Sequence, residues 1–242
     1  MSFPDGTLWR SKVDGTERLQ LTFLPMEGYQ PKWSPDGKQI AFAASVPGKP
    51  IHIYIVSANG GAPKEVTKGE RVEWHPNWSE DGNSLFFGNR PIDMPGLPPM
   101  AIHHVNLKTN QLTIVSGSEG TWFPRLSPDG NYIAALSDRA HLMLLDVKKQ
   151  RWTELTQTAD DHPTWSHDGK YVYFDSPADG DPAIYRVQVK DHKLERIASL
   201  KDVKRPTSVS LGGWTGLAPD DSLLALRDIS TYEIYALDWQ LP

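Results

Sequence analysis

One pattern recurs five times along the 242 residues and limits the possible folds more than any other feature. It reads PKWSPDGKQIAF (31–42), PNWSEDGNSLFF (76–87), PRLSPDGNYIAA (124–135), PTWSHDGKYVYF (163–174) and, degraded, TGLAPDDSLLAL (215–226). Trp33, Trp78, Leu126, Trp165 and Leu217 are therefore equivalent, at spacings of 39 to 52 residues. A period of this size is one supersecondary unit long. It belongs to arrays in which each unit buries its apolar face against the next.

Each copy continues alike. An apolar run such as KQIAFAAS or YVYFDS follows the Asp-Gly, then a second run (IHIYIVSANGG, MAIHHVNLKTN, HLMLLDVKKQ, AIYRVQVKDH, EIYALDW). In all but the last copy a third, short run closes the unit: KEVT, QLTIV, RWTELT or LERIA. No segment sustains a 3.6-residue apolar period, so the runs read as strands. Nine Trp, eight Tyr and seven Phe, with twenty Pro and nineteen Gly, suit many short strands joined by turns. Four strands per unit of this length predict an all-β chain folded as a single β-propeller domain. Its units fall at about 29–70, 72–117, 121–158, 160–200 and 206–239, with closing strands in 1–22.

The Ser-x-Asp-Gly cluster looks at first like chemistry, but its recurrence argues for architecture. Asp36, Asp81, Asp129 and Asp168 each precede a Gly in the turn between the first two strands. There a carboxylate accepts backbone N–H groups two residues on, and Gly takes positive φ. The tryptophan of each copy is expected to pack between blades. Ser34 lacks the strand-to-helix context of a nucleophile elbow. The chain also lacks a P-loop, a G-x-G-x-x-G, an H-E-x-x-H and an EF-hand loop. His103 and His104 fall in one strand, where alternation sends one inward and one outward.

The consensus P-x-W-S-P-D-G-K-x-I-A-F, followed by I-Y and G-G-x-x-x-x-x-T, resembles the TolB-type β-propeller repeat. The ends, PDGTLWRSKVDG and EIYALDWQLP, resemble the propeller portion of bacterial regulator-type proteins. The resemblance implies the fold and, for function, recognition of a protein or peptide on the loop face or across the channel. Relatives of this type usually carry six blades.

If the strands are lettered a to d from the axis outward, the chain begins midway through a unit. TLWRSKV matches strand c and RLQLT matches strand d, while the last copy stops at its own strand c, EIYALDW. Five blades are expected, the ring being closed by the N-terminal strand joining the last blade and leaving no open sheet edge. Six blades with the first incomplete is the alternative. The surplus N-terminal strand could also pair between molecules and make an oligomer.

A net charge of −5 without a basic run argues against nucleic acid as a partner. No apolar stretch approaches a membrane span, and the absence of Cys excludes disulfides and thiolate metal sites. The start has no secretory signal, so the expected location is cytoplasmic, or periplasmic if the N-terminus is truncated.

Repeat symmetry then separates scaffold from site. The connections from d to a and from b to c share one face, and the residues there that vary are available for binding. Ahead of the repeat Pro or its equivalent the copies read EGYQ, VEWH, GTWF, ADDH and LGGW. The ligand-binding candidates are Tyr29, Glu73, Trp74, His75, Arg90, Trp122, Arg139, Asp161, His162, Trp214 and Arg227. They suit a protein, a peptide or a small polar molecule. The alternative is a hydrolase analogous to the Ca²⁺-dependent lactonase propellers. Glu73, Asp160, Asp161, Asp175 and Asp228 would supply hard oxygen ligands to Ca²⁺, with His75 or His162 activating water. A third reading is a truncated sensor domain of a larger bacterial regulator.

Overall fold

The computed structural model describes residues 6–89, 100–137, 141–158, 161–176, 180–205 and 214–230, with Asp161 and His162 described by their backbone. Each full repeat folds as a four-stranded antiparallel meander, in chain order from the inner to the outer strand. The first is β3 (Glu27–Trp33), β4 (Gln39–Ser45), β5 (His52–Ser57) and β6 (Lys64–Glu65). The second is β7 (Glu73–Trp78), β8 (Ser84–Asn89), β9 (Ala101–Asn106) and β10 (Leu112–Ile114). The third is β11 (Thr121–Leu126), β12 (Tyr132–Ser137), β13 (Leu142–Asp146) and β14 (Arg151–Thr156). The fourth is β15 (Asp161–Trp165), β16 (Tyr171–Ser176), β17 (Ala183–Gln188) and β18 (Leu194–Ser199). Two-stranded sheets flank them: β1 (Trp9–Arg10) with β2 (Leu19–Gln20), and β19 (Thr215–Leu217) with β20 (Leu223–Ala225).

The array is the expected all-β propeller, but the blade count differs. Among the described residues there are four complete blades rather than five or six. The N-terminal segments expected as strands c and d pair with each other, as β1 and β2, in a sheet of their own. The last unit shows its first hairpin, and EIYALDW, on which closure of the ring depends, lies outside the described residues.

Turn chemistry builds the inner hairpins as expected. Ser34 Oγ donates to Asp36 Oδ1 (2.7 Å) and accepts the Gln39 N–H (2.9 Å), while Asp36 accepts the Lys38 N–H (3.0 Å). The Ser–Asp bond recurs at Ser79–Asp81, Ser127–Asp129 and Ser166–Asp168, at 2.6 to 2.8 Å. All four carboxyls are held below their usual range, chiefly by the serine bond at Asp36 and Asp129, by the Asn83 side chain ahead of Ser79 at Asp81, and by Lys170 ahead of Ser166 at Asp168. In the fifth copy Asp221 takes the glycine's place and still adopts φ +61.

Packing between units supplies the core. Ala41, Ala43 and Ile53 of the first blade meet Trp78, Leu85, Phe87 and Val105 of the second. Phe123, Leu136, Leu142 and Leu144 of the third meet Trp165, Phe174 and Val187 of the fourth. Leu8 and Leu21 seat the N-terminal hairpin on Phe42 and Val56. Two of the repeat tryptophans also bridge blades through hydrogen bonds. Trp78 Nε1 donates to the Lys32 carbonyl (3.0 Å) and Trp165 Nε1 to the Arg125 carbonyl (2.8 Å). Trp33 departs from this expectation and is 51% exposed. Among the described residues the segment before it contributes only β1 and β2.

Candidate functional site

The residues ahead of the repeat Pro were expected in a loop. They form instead the first half of each inner strand, set off from the second half by a β-bulge. The register gains one extra residue between Tyr29 and Lys32, Trp74 and Asn77, Trp122 and Arg125, and Asp161 and Thr164. Gln30, His75 and Phe123, each directly before the Pro, have φ of +53, +58 and +60. A residue before Pro is ordinarily pushed to extended conformations, so the bulge holds these three against their local preference.

The bulge turns those side chains toward the next blade. Gln30 Oε1 accepts the His75 N–H (3.0 Å), and the His75 ring lies 3.7 Å, centroid to centroid, from Phe123. Gln30, His75 and Phe123 thus link three consecutive inner strands. Tyr29, Trp74 and Trp122, one position earlier, are half-buried and partly open to solvent. Tyr29 lies 5.6 Å from Trp74, and Trp122 lies 5.5 Å from both His75 and Phe123. Burial, reinforced by the hydrogen bond to Glu27, pushes the Tyr29 phenol up to about 12. Of the residues singled out in the sequence, Tyr29, Trp74, His75 and Trp122 thus lie near one another. Trp214 is 43% exposed on the last unit.

Of the expected metal ligands, the side chains of Glu73, Asp175 and Asp228 are described. Glu73 is 1% exposed and points between the first two blades, where Thr67 hydrogen-bonds it. Its Oε2 has no partner among the described residues, and burial raises its carboxyl to about 7. Beside it, Arg71 Nη1 donates to His103 Nδ1 (3.3 Å), while His103 stacks on Phe87 and is 2% exposed. Burial, with Arg71 adding to it, lowers the His103 imidazole to about 4. His104 points the other way, onto Phe86, as alternation requires. Asp175 is buried and paired with Arg205 Nη2 (2.7 Å) and Thr215 Oγ1 (3.1 Å). Asp228 pairs with Lys204 (3.2 Å), and Arg227 is exposed. Among the described residues no three His, Asp or Glu side chains form a metal-binding group. Arg90, Arg139, Asp160 and the side chains of Asp161 and His162 lie outside the described residues.

Sequence reasoning passed over Gln30, Lys32, Arg71 and Arg125 as candidates. The signal for Lys32 and Arg125 was available. The position after the repeat Pro reads Lys32, Asn77, Arg125 and Thr164, and so varies as a site should.

No protein-family model matches the chain. It is 27% identical over 157 residues to the uncharacterized peptidase YuxL of Bacillus subtilis, covering 60% of this chain and 21% of that protein. It is 30% identical over 141 residues to the uncharacterized protein Atu1656 of Agrobacterium fabrum, covering 56% of this chain and 45% of that protein. TolB from Acinetobacter baumannii superposes with a TM-score of 0.71 at 23% identity, over 89% of this chain and 52% of that structure. The chain thus has the TolB-like propeller fold, and it spans about half or less of the length of each of these proteins. Among the described residues no helix is long and apolar enough to cross a membrane.

Proposed function

We propose that this propeller is a binding module that takes an extended peptide segment of a protein partner at the mouth of its channel. The carrying observation is the run of aromatic rings from three consecutive inner strands: Tyr29, Trp74, His75, Trp122 and Phe123. His75 and Phe123 are spent on packing, but Tyr29, Trp74 and Trp122 rest one side on the interblade core and leave the rest to solvent. Rigid, half-exposed aromatic rings bring a large contact area at low entropic cost, as binding surfaces for peptides require. The catalytic alternative has no comparable support, because the His75 ring is held between Gln30 and Phe123.

The test is a peptide-display selection against the full chain, followed by affinity measurement on variants. Trp74→Ala and Trp122→Ala are expected to weaken the selected peptides by tenfold or more, about 1.4 kcal/mol or above. Trp33→Ala, on the exposed Trp33, should leave them unchanged. Peptides that keep full affinity for both mouth variants would overturn the reading.

A further inference from the structure

The outer part of the junction between the first two blades differs from that of the next. Between the second and third blades, Val115, Val147 and Trp152 pack on the buried cluster of Ile102, Ile133 and Leu145. The Trp152 indole is fixed there by donating to the Ser116 carbonyl (3.0 Å). By register in the repeat, Val66 and Leu107 are the counterparts of Val115 and Val147, and Leu112 is the counterpart of Trp152. Val66 and Leu107 do pack on the cluster between the first two blades. Leu112 does not join it and is 42% exposed. The third blade thus lays a tryptophan against the second, and the second lays no such ring against the first.

What remains is a cleft of about 300 Å³. Its walls include the apolar side chains of Ile55, Val66 and Leu107, and Gln39, Lys64 and Asn110 supply its polar groups. Among the described residues lining it, Lys64 is the one that carries a charge. Its ammonium has no ion pair among the described residues, and the side-chain amides of Gln39 and Asn110 have no hydrogen-bond partner there. The neighbouring Glu65 is spent elsewhere, on His52 (2.7 Å) and Lys49 (3.0 Å). The counterparts of Lys64 on the other complete blades are Thr113, Thr153 and Glu195, so the cation belongs to this junction. Apolar walls of this extent, with one ammonium and two amides beside them, suit a flat apolar body that ends in an anion.

We propose that this cleft is a second binding site, separate from the channel mouth, and that it takes a small aromatic carboxylate. The ring takes the role at this junction that the Trp152 ring has at the next, against Ile55, Val66 and Leu107. The carboxylate accepts from Lys64. Burial of the ring supplies most of the affinity, and the exposed ion pair adds a selection for acids. A ligand of about fourteen heavy atoms in such a cleft should bind with a dissociation constant of about 1 mM. The site does not rest on the reading of the mouth.

Titration of the full chain with indole-3-propionate and with indole, each to about 10 mM and followed by NMR, tests this; that concentration reveals a millimolar site. The acid should bind about threefold to fivefold more tightly than indole. Lys64→Met should bring the acid to the level of indole and leave indole unchanged. Leu112→Trp supplies the ring that the third blade has, so it should weaken both ligands tenfold or more without lowering the urea midpoint. Lys64→Met alters an exposed side chain and decides the matter should Leu112→Trp not fold. The proposal is overturned if the acid does not bind, if folded Leu112→Trp binds it as the wild type does, or if Lys64→Met loses nothing. Trp74→Ala and Trp122→Ala should keep full affinity for the acid, and a tenfold loss in either would move it to the mouth and overturn this site. Failure of the mouth reading leaves these outcomes untouched, so the two are distinguishable.

Discussion

Replacing Glu73 with Gln should make the stability of the protein depend on pH between about 4.5 and 6.5, where the wild type is flat. The reason is a compensation within the first interblade space. Burial raises the Glu73 carboxyl from 4.5 to about 7, which corresponds to about 3 kcal/mol against its ionised form. Burial lowers the His103 imidazole from 6.5 to about 4, about the same cost against its charged form. The Glu73 contribution is fully present below about 4.5 and is lost as pH rises to about 7. The His103 contribution is fully present above about 6.5 and is lost as pH falls to about 4. Across their overlap folding binds one proton at Glu73 and releases one at His103, and the slopes cancel. Glu73→Gln leaves the His103 term alone, so unfolding free energy should climb by about 3 kcal/mol from about pH 4.5 to 6.5. His103→Gln leaves the Glu73 term and should fall by a similar amount. Urea denaturation at three pH values in that window measures both, and comparison with the wild type removes the background of other carboxylates. Asp81, Asp168 and Asp228, held at about 2, act at lower pH. Lys32, at about 7, acts at higher pH. Wild type and Glu73→Gln curves that run parallel across the window would refute the reasoning.

Three further outcomes follow from the packing. Arg205→Met removes the cation that pairs with the buried Asp175 and should cost about 3 kcal/mol in chemical denaturation at neutral pH. Trp78→Phe removes the indole bond to the Lys32 carbonyl and should cost about 1–2 kcal/mol, whereas Trp33→Phe should stay within about 0.5 kcal/mol in the same assay. Gly28→Ala would set a Cβ 2.6 Å from Leu8 Cγ, where the N-terminal hairpin seats on the first blade; a loss of about 1–3 kcal/mol is expected by thermal or urea melts.

Much of the scaffold is legible in the sequence because its causes are local. The Ser34–Asp36 turn closes within five residues of chain, and its bonds need no partner from elsewhere. The same locality gave the strand order within each blade and the inward and outward faces of His103 and His104. The candidate mouth was partly legible. Tyr29, Trp74 and Trp122 were picked out by variation ahead of the Pro, but as loop residues, since the bulge that keeps them in strand depends on the neighbouring blade. Trp33 shows the converse limit. The same motif residue is exposed in the first copy, where no carbonyl on a neighbouring described strand accepts its indole as Lys32 accepts that of Trp78.

The amino-acid sequence by itself therefore determined the repeat, the hairpin turns and the all-β propeller class. Only the tertiary structure decided how many blades are complete among the described residues and that Glu73 and Asp175 are buried between blades. Turns and strand periodicity are set by neighbours along the chain. Desolvation and charge–charge energies depend on every group nearby in space, and in a ring those groups come from different repeats.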